Sequence, residues 1–263
     1  MLHSPEDFEI IDAHTHPFID PGDCIGAFGY PKTMDEFDFE MRKVGITRYA
    51  GSVISNHCKS FDEIQRVNRD ALRVRDRFPG YIPGIHVDGN HPQESCVELH
   101  KMYAEGVRMV GELVPYSMNT QNYNEPGMVT VFKEVEKLGM LASLHHGMHQ
   151  EVLDLVAACP DLKIMLAHPG EPWGTVDYNG KDRLKLVAAH KNLYIDISGY
   201  ALFRWGMLRW AIDTCGVEKI VFGSDMPTCS VGMYLYGTLC ENLTDDEFRL
   251  VLAGNFKRLI GME

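Results

Sequence analysis

Six side chains carrying the donor atoms of a divalent-metal site are scattered along the chain. His14 and His16 stand two residues apart in "FEIIDAHTHPF". Glu112 lies in "VGELVPY", His145 in "LASLHHG", His168 in "IMLAHPGEP" and Asp225 in "VFGSDMP". Imidazole nitrogens and carboxylate oxygens are ligands for zinc and similar ions. A His-x-His pair alone is weak evidence, because it matches by chance and a pair of hydrogen-bonded loop histidines would look the same. Here each candidate closes a short apolar run. Five strand-like runs ending in metal-type ligands are much harder to reach by accident.

Those runs belong to a series of eight, rich in Val and Ile: 8–14, 46–54, 81–88, 107–113, 140–146, 163–168, 193–198 and 219–225. Amphipathic, helix-like segments lie between them, over 33–45, 60–78, 91–106, 126–139, 149–159, 180–191 and 204–216, with a last one over 244–261. Gly45 is placed to cap the first, Ser60 and Glu63 have the spacing of a capping box, and Thr244 is a cap residue for the last. Eight strands alternating with helices predict a (β/α)8 TIM barrel, an α/β fold with one domain over residues 1–263. The rival is a doubly wound open sheet, but no Gly-rich phosphate loop follows the first strand. Residues i and i+2 share a strand face, so His14 and His16 point the same way. Active sites of such barrels gather at the C-terminal strand ends.

The chain has 263 residues, 25 basic and 37 acidic, with a net charge of −12. That balance argues against nucleic acid or an anionic membrane as a general partner and favours a small-molecule substrate. Seven scattered cysteines without a CxxC pair suit a reducing compartment. The N-terminus lacks the pattern of a signal peptide, and no apolar run approaches a membrane span. A soluble, cytoplasmic protein is the expectation.

The ordered set His-x-His, Glu, His, His, Asp on strands one, four, five, six and eight resembles the amidohydrolase superfamily of metal-dependent hydrolases. "IDAHTH", "LAHPGEPW", "LYIDISGY", "KIVFGSDMP" and "AGNFKRLIG" resemble its family 2 branch, which holds both hydrolases and non-oxidative decarboxylases. "VGELVPY" is instead similar to the glutamate strand of TatD-type hydrolases, where the carboxylate bridges two metals. The resemblance implies a metal-dependent hydrolase with a binuclear centre, the ions being two zinc, with manganese or another transition metal as the alternative. His14, His16 and Asp225 would hold one ion and His145 and His168 the other, with Glu112 between them. Strand alternation lets only one of His145 and His146 face inward, and the family phrase aligns His145. Barrels of this type often pair, which leaves a homo-oligomer open.

In that reading Asp225 is the general base, and the reaction is hydrolysis of a small amide, ester, lactone or phosphoester. The alternatives are decarboxylation of a carboxylated ring or enol on a one-metal design, a TatD-like nuclease, and a binding protein that has lost catalysis. Asp12 shares the His14 strand face, as its partner or as a structural acid. Substrate contacts are expected from Tyr116, His146, Trp173 and Arg204 in the loops after the strands. Trp205 and Trp210 are expected to pack, and His86 to be a satisfied structural histidine.

Overall fold

The computed structural model describes residues 3–55, 58–145, 149–170, 180–199 and 204–262. Its strands are β1 (Ile11–Thr15), β2 (Arg48–Gly51), β3 (Tyr81–Ile85), β4 (Met109–Leu113), β5 (Leu141–Leu144), β6 (Lys163–Leu166), β7 (Leu193–Asp196) and β8 (Ile220–Val221). They pair in chain order, each parallel to the next. The ring closes just beyond β8. The Ala13 amide donates to the Phe222 carbonyl at 3.0 Å, Asp225 N–H to His14 O at 2.8 Å, and His16 N–H to Met226 O at 2.7 Å. The fold is the (β/α)8 barrel that the alternating pattern predicts.

The helices are α1 (Met34–Lys43), α2 (Phe61–Arg77), α3 (Pro92–Ala104), α4 (Pro115–Met118), α5 (Pro126–Lys137), α6 (His149–Ala158), α7 (Gly180–Ala189), α8 (Met207–Cys215), α9 (Val231–Leu239), α10 (Asp245–Arg249) and α11 (Asn255–Ile260). Their apolar faces pack on the outside of the strands in one large core. Inside the barrel a second apolar layer joins Ile11, Ala50, Met109, Leu141, Met165 and Val221 to Phe256 and Leu259 of α11, which closes the base. Strands enclosed on both faces need continuous apolar runs, which is why their sequences read as solid blocks.

Local departures from the sequence reading have physical causes. The strands are shorter than the apolar runs: β1 and β4 start later than their runs, and the other six stop before the C-terminal end of theirs. Ser60 makes no side-chain cap, and Glu63 instead takes the Lys59 amide. Thr244 does cap α10, accepting from Glu247 N–H at 3.3 Å. The last predicted helix is divided by a π-helical stretch, Leu250–Gly254, and α9 has no counterpart among the predicted helices. Trp205 is 94% exposed rather than packed, since it precedes α8 where the chain has left the core, whereas Trp210 lies against it. All seven cysteines are free thiols. Among the described residues no helix is long and apolar enough to cross a membrane.

Candidate metal centre

His14, His16, Glu112, His168 and Asp225 converge at the C-terminal mouth, all buried. Two ligand strands break register where their donors occur: β1 between Asp12 and Thr15, and β4 between Val110 and Leu113. Such irregularities re-aim side chains beside active sites. His168 and Asp225 both have left-handed backbone, with φ of 60° and 65°. Residues other than glycine seldom adopt that region, and strain of this kind collects at functional sites. Gly199 leaves room for one of them: a Cβ there would lie 2.3 Å from His168 Nδ1.

Glu112 spans the cluster. Its Oε2 is 3.4 Å from Nε2 of His14 and 3.4 Å from Nε2 of His16. Its Oε1 is 2.9 Å from His145 Nδ1 and 3.6 Å from His168 Nε2. Asp225 Oδ1 is 3.4 Å from His16 Nε2, and its Oδ2 is 4.0 Å from His168 Nε2. Two donor triads are close enough for an ion: His14, His16 and Asp225, and His14, Glu112 and His168. His145 joins neither triad but hydrogen-bonds to Glu112, and the Tyr116 hydroxyl is 3.4 Å from its other ring nitrogen. Tyr116 itself is exposed at the rim, and Arg204 is exposed before α8. His146 and Trp173 lie outside the described residues.

The charges in this cluster are out of balance without a cation. Burial would raise the Glu112 carboxyl, but the neighbouring His14 charge and hydrogen bonds from His14 and His145 hold it well below the usual carboxylate range. Burial works against protonation of His14, yet Glu112 and Asp196 raise it well above the ordinary imidazole value. His16 rises against burial to about 9, through its hydrogen bonds with Asp225 and Glu112. Positive charge is therefore demanded where the two Nε2 atoms stand only 3.1 Å apart. Two protons pointing into that gap would repel each other. A divalent ion supplies the same charge to lone pairs instead, so the donor set fits a metal.

Residues that the ligand pattern missed lie behind the histidines. His14 Nδ1 is 2.8 Å from Asp196 Oδ2, and the Ser198 hydroxyl lies 3.0 Å from His14 Nδ1 and 2.9 Å from His168 Nδ1. Both are in the phrase "LYIDISGY", and Asp196 ends β7, so a strand-end carboxylate was the available signal. Asp12 is not the ring partner of His14. Its Oδ1 instead takes the backbone amides of His14 and Ser224, at 3.1 and 3.0 Å, tying β1 to the end of β8. Burial pushes its carboxyl up to about 7. His86, just after β3, is also not a satisfied histidine. It is buried, and its ring makes no hydrogen bond of good geometry, only a weak one with the Val53 backbone.

A family model described as amidohydrolase (Amidohydro_2) matches residues 11–262. The chain belongs to the amidohydrolase family. Among solved structures, 2,6-dihydroxybenzoate decarboxylase from Rhizobium is 17% identical, with a TM-score of 0.73 over 97% of this chain and 99% of that one. A dihydroxybenzoic acid decarboxylase from Polaromonas, with bound manganese and the inhibitor 2-nitroresorcinol, is 16% identical, with a TM-score of 0.67 over 97% of each chain. A probable 2-pyrone-4,6-dicarboxylic acid hydrolase from Acinetobacter baumannii is 19% identical, with a TM-score of 0.68 over 97% of this amidohydrolase and 100% of that chain. At these identities the likeness establishes the barrel and leaves the reaction open. No curated protein matches the chain.

Proposed function

We propose that this amidohydrolase is a metal-dependent hydrolase of a small amide, ester, lactone or phosphoester, built to hold two divalent ions. One observation carries the reading: the two oxygens of Glu112 face different histidine pairs, as a bridging carboxylate would. The charge balance supports it only as far as calling for a cation: the buried carboxylates Glu112, Asp196 and Asp225 leave one negative charge over with one divalent ion and one positive charge over with two. His14, His16 and Asp225 would hold the first ion and His168 the second, with Glu112 between them and His145 beside it. Bound there, the ions would acidify water and polarise the scissile acyl or phosphoryl oxygen.

The chain's own residues then manage the proton. Asp225 has the most exposed carboxylate of the ion-holding cluster, its side chain 10% exposed against 4% for Glu112. Its carboxylate would take the proton from the attacking water and return it to the leaving group as that bond breaks. His145 and Tyr116 line the rim above it, where a substrate would enter.

A second reading has its own support. Both decarboxylases named above share the barrel, and the two donor triads have His14 in common, which suits a single ion. Non-oxidative decarboxylation of a carboxylated ring or enol is the reaction it implies. Elemental analysis of the loaded protein separates the readings. Near two ions per chain, with turnover in a panel of lactones, amides, esters and phosphoesters, supports hydrolysis. Near one ion, with carbon dioxide released from hydroxylated benzoates, replaces it with decarboxylation.

A further inference from the structure

Behind the proposed ligands lies a buried hydrogen-bond chain whose protons can be counted. Asp196 and Ser198 are completely buried. The Ser198 and His168 amides and the Ser198 hydroxyl all face Asp196 Oδ1 and the His14 ring faces Oδ2, the surroundings of an ionised carboxylate. An ionised carboxylate only accepts hydrogen bonds, so His14 Nδ1, 2.8 Å from Asp196 Oδ2, must carry a proton. The Ser198 hydroxyl has one proton, which goes to the close Asp196 Oδ1. Its oxygen can then only accept from a ring nitrogen. His14 Nδ1 is already engaged by Asp196, so the acceptor serves His168 Nδ1 at 2.9 Å. Both rings are thereby held with the proton on Nδ1 and the Nε2 lone pair turned into the cluster.

From this geometry we infer that Asp196 is a positioning residue for both ion positions, acting directly on His14 and through Ser198 on His168. The inference rests on the metal-centre reading above. It makes the two positions unequal in a defined way. Losing the Ser198 hydroxyl frees only His168. Losing the Asp196 charge frees His14, removes the anchor of Ser198, and so loosens both. The Ser198 and His168 amides also approach Asp196 Oδ1, at 2.9 and 3.4 Å, so the same carboxylate fixes the backbone that carries His168.

The test is titration of metal-stripped protein with Zn²⁺ by calorimetry, with elemental analysis after gel filtration, on the parent protein, Asp196→Asn, Ser198→Ala and Ser198→Thr. Removing such a partner weakens metal binding by about 10- to 100-fold. Ser198→Ala is expected to weaken one of two ions by that factor, Ser198→Thr to retain it, and Asp196→Asn to weaken both. Circular dichroism of the ion-free forms identifies any variant that has merely lost its fold, in which case the serine pair decides. ¹⁵N-histidine spectra of the zinc-loaded parent give an independent readout, with Nδ1–H expected on His14 and His168. Unchanged affinities in Asp196→Asn, equal behaviour of the two serine variants, or an Nε2–H signal on His168 overturns the inference. Uptake of a single ion by the parent ends the two-ion reading of function, while the effect of Asp196→Asn on that ion still decides this one.

Discussion

His86 is the residue whose environment fits its chemistry least. Its backbone is clamped by Asn68 of α2, which accepts from His86 N–H at 2.8 Å and donates to His86 O at 3.0 Å, but its ring has only a weak partner in the Val53 backbone. Burial lowers its pKa to about 3, so the folded protein keeps it neutral. The unfolded chain, with an ordinary histidine near 6.5, binds the proton first. Between pH 6.5 and 3 the unfolded state therefore holds more protons, and stability falls as pH falls. His86→Leu should hold or raise stability at pH 7, by up to about 1 kcal/mol, since it replaces a poorly paired buried imidazole with an apolar side chain. It should also flatten the loss between pH 6.5 and 5, as followed by urea unfolding at each pH.

Asp225 is tested by removing its charge. Asp225→Asn should keep the barrel, by circular dichroism, and lower turnover by about 10²- to 10⁴-fold, the usual worth of a positioned general base. Equal turnover in the variant would move the proton to another group. At this scale the sequence was informative about ligand types and less so about what stands behind them. His14, His16, Glu112, His168 and Asp225 could be picked out because each ends an apolar run. The roles of Asp196 and Ser198 depend on partners 182 and 30 residues away along the chain, which no local pattern encodes.

At the scale of elements, the proposed ligands depend on departures from regular strand geometry. The register breaks in β1 and β4 and the left-handed turns at His168 and Asp225 put donors at one point where ideal strands would spread them around the rim. Gly199, with φ of 76°, permits the approach of His168. Gly199→Ala should cost about 1–3 kcal/mol of stability through backbone strain alone. It should also weaken metal uptake by displacing the imidazole, so thermal melts of loaded and stripped protein would move by different amounts. Most helix positions were legible from amphipathic spacing, but α4 and α9 were not. The failure at Ser60 shows the limit of cap motifs, since Glu63 found the Lys59 amide a better partner. The division of the final helix at Leu250–Gly254 was not legible either: the Phe222 amide bonds to the Val251 carbonyl at 2.9 Å, a tertiary contact.

Across the whole molecule, the barrel was readable because eight apolar blocks separated by amphipathic segments leave few other ways to bury them. An ion that binds only the folded state adds to that stability. Stripping the metal should lower the melting temperature by on the order of 10 °C if the ion is present at about 1,000 times its dissociation constant. Calorimetry with and without a chelator measures this, and identical melts would mean that the buried carboxylates are balanced by protons instead. The bottom of the barrel sets a different constraint. Phe256 and Leu259 stopper that end, so the metal-type cluster is not reached through the base. On the proposed reading, product leaves toward the side from which the next reactant arrives, and a spent molecule that lingers competes with it.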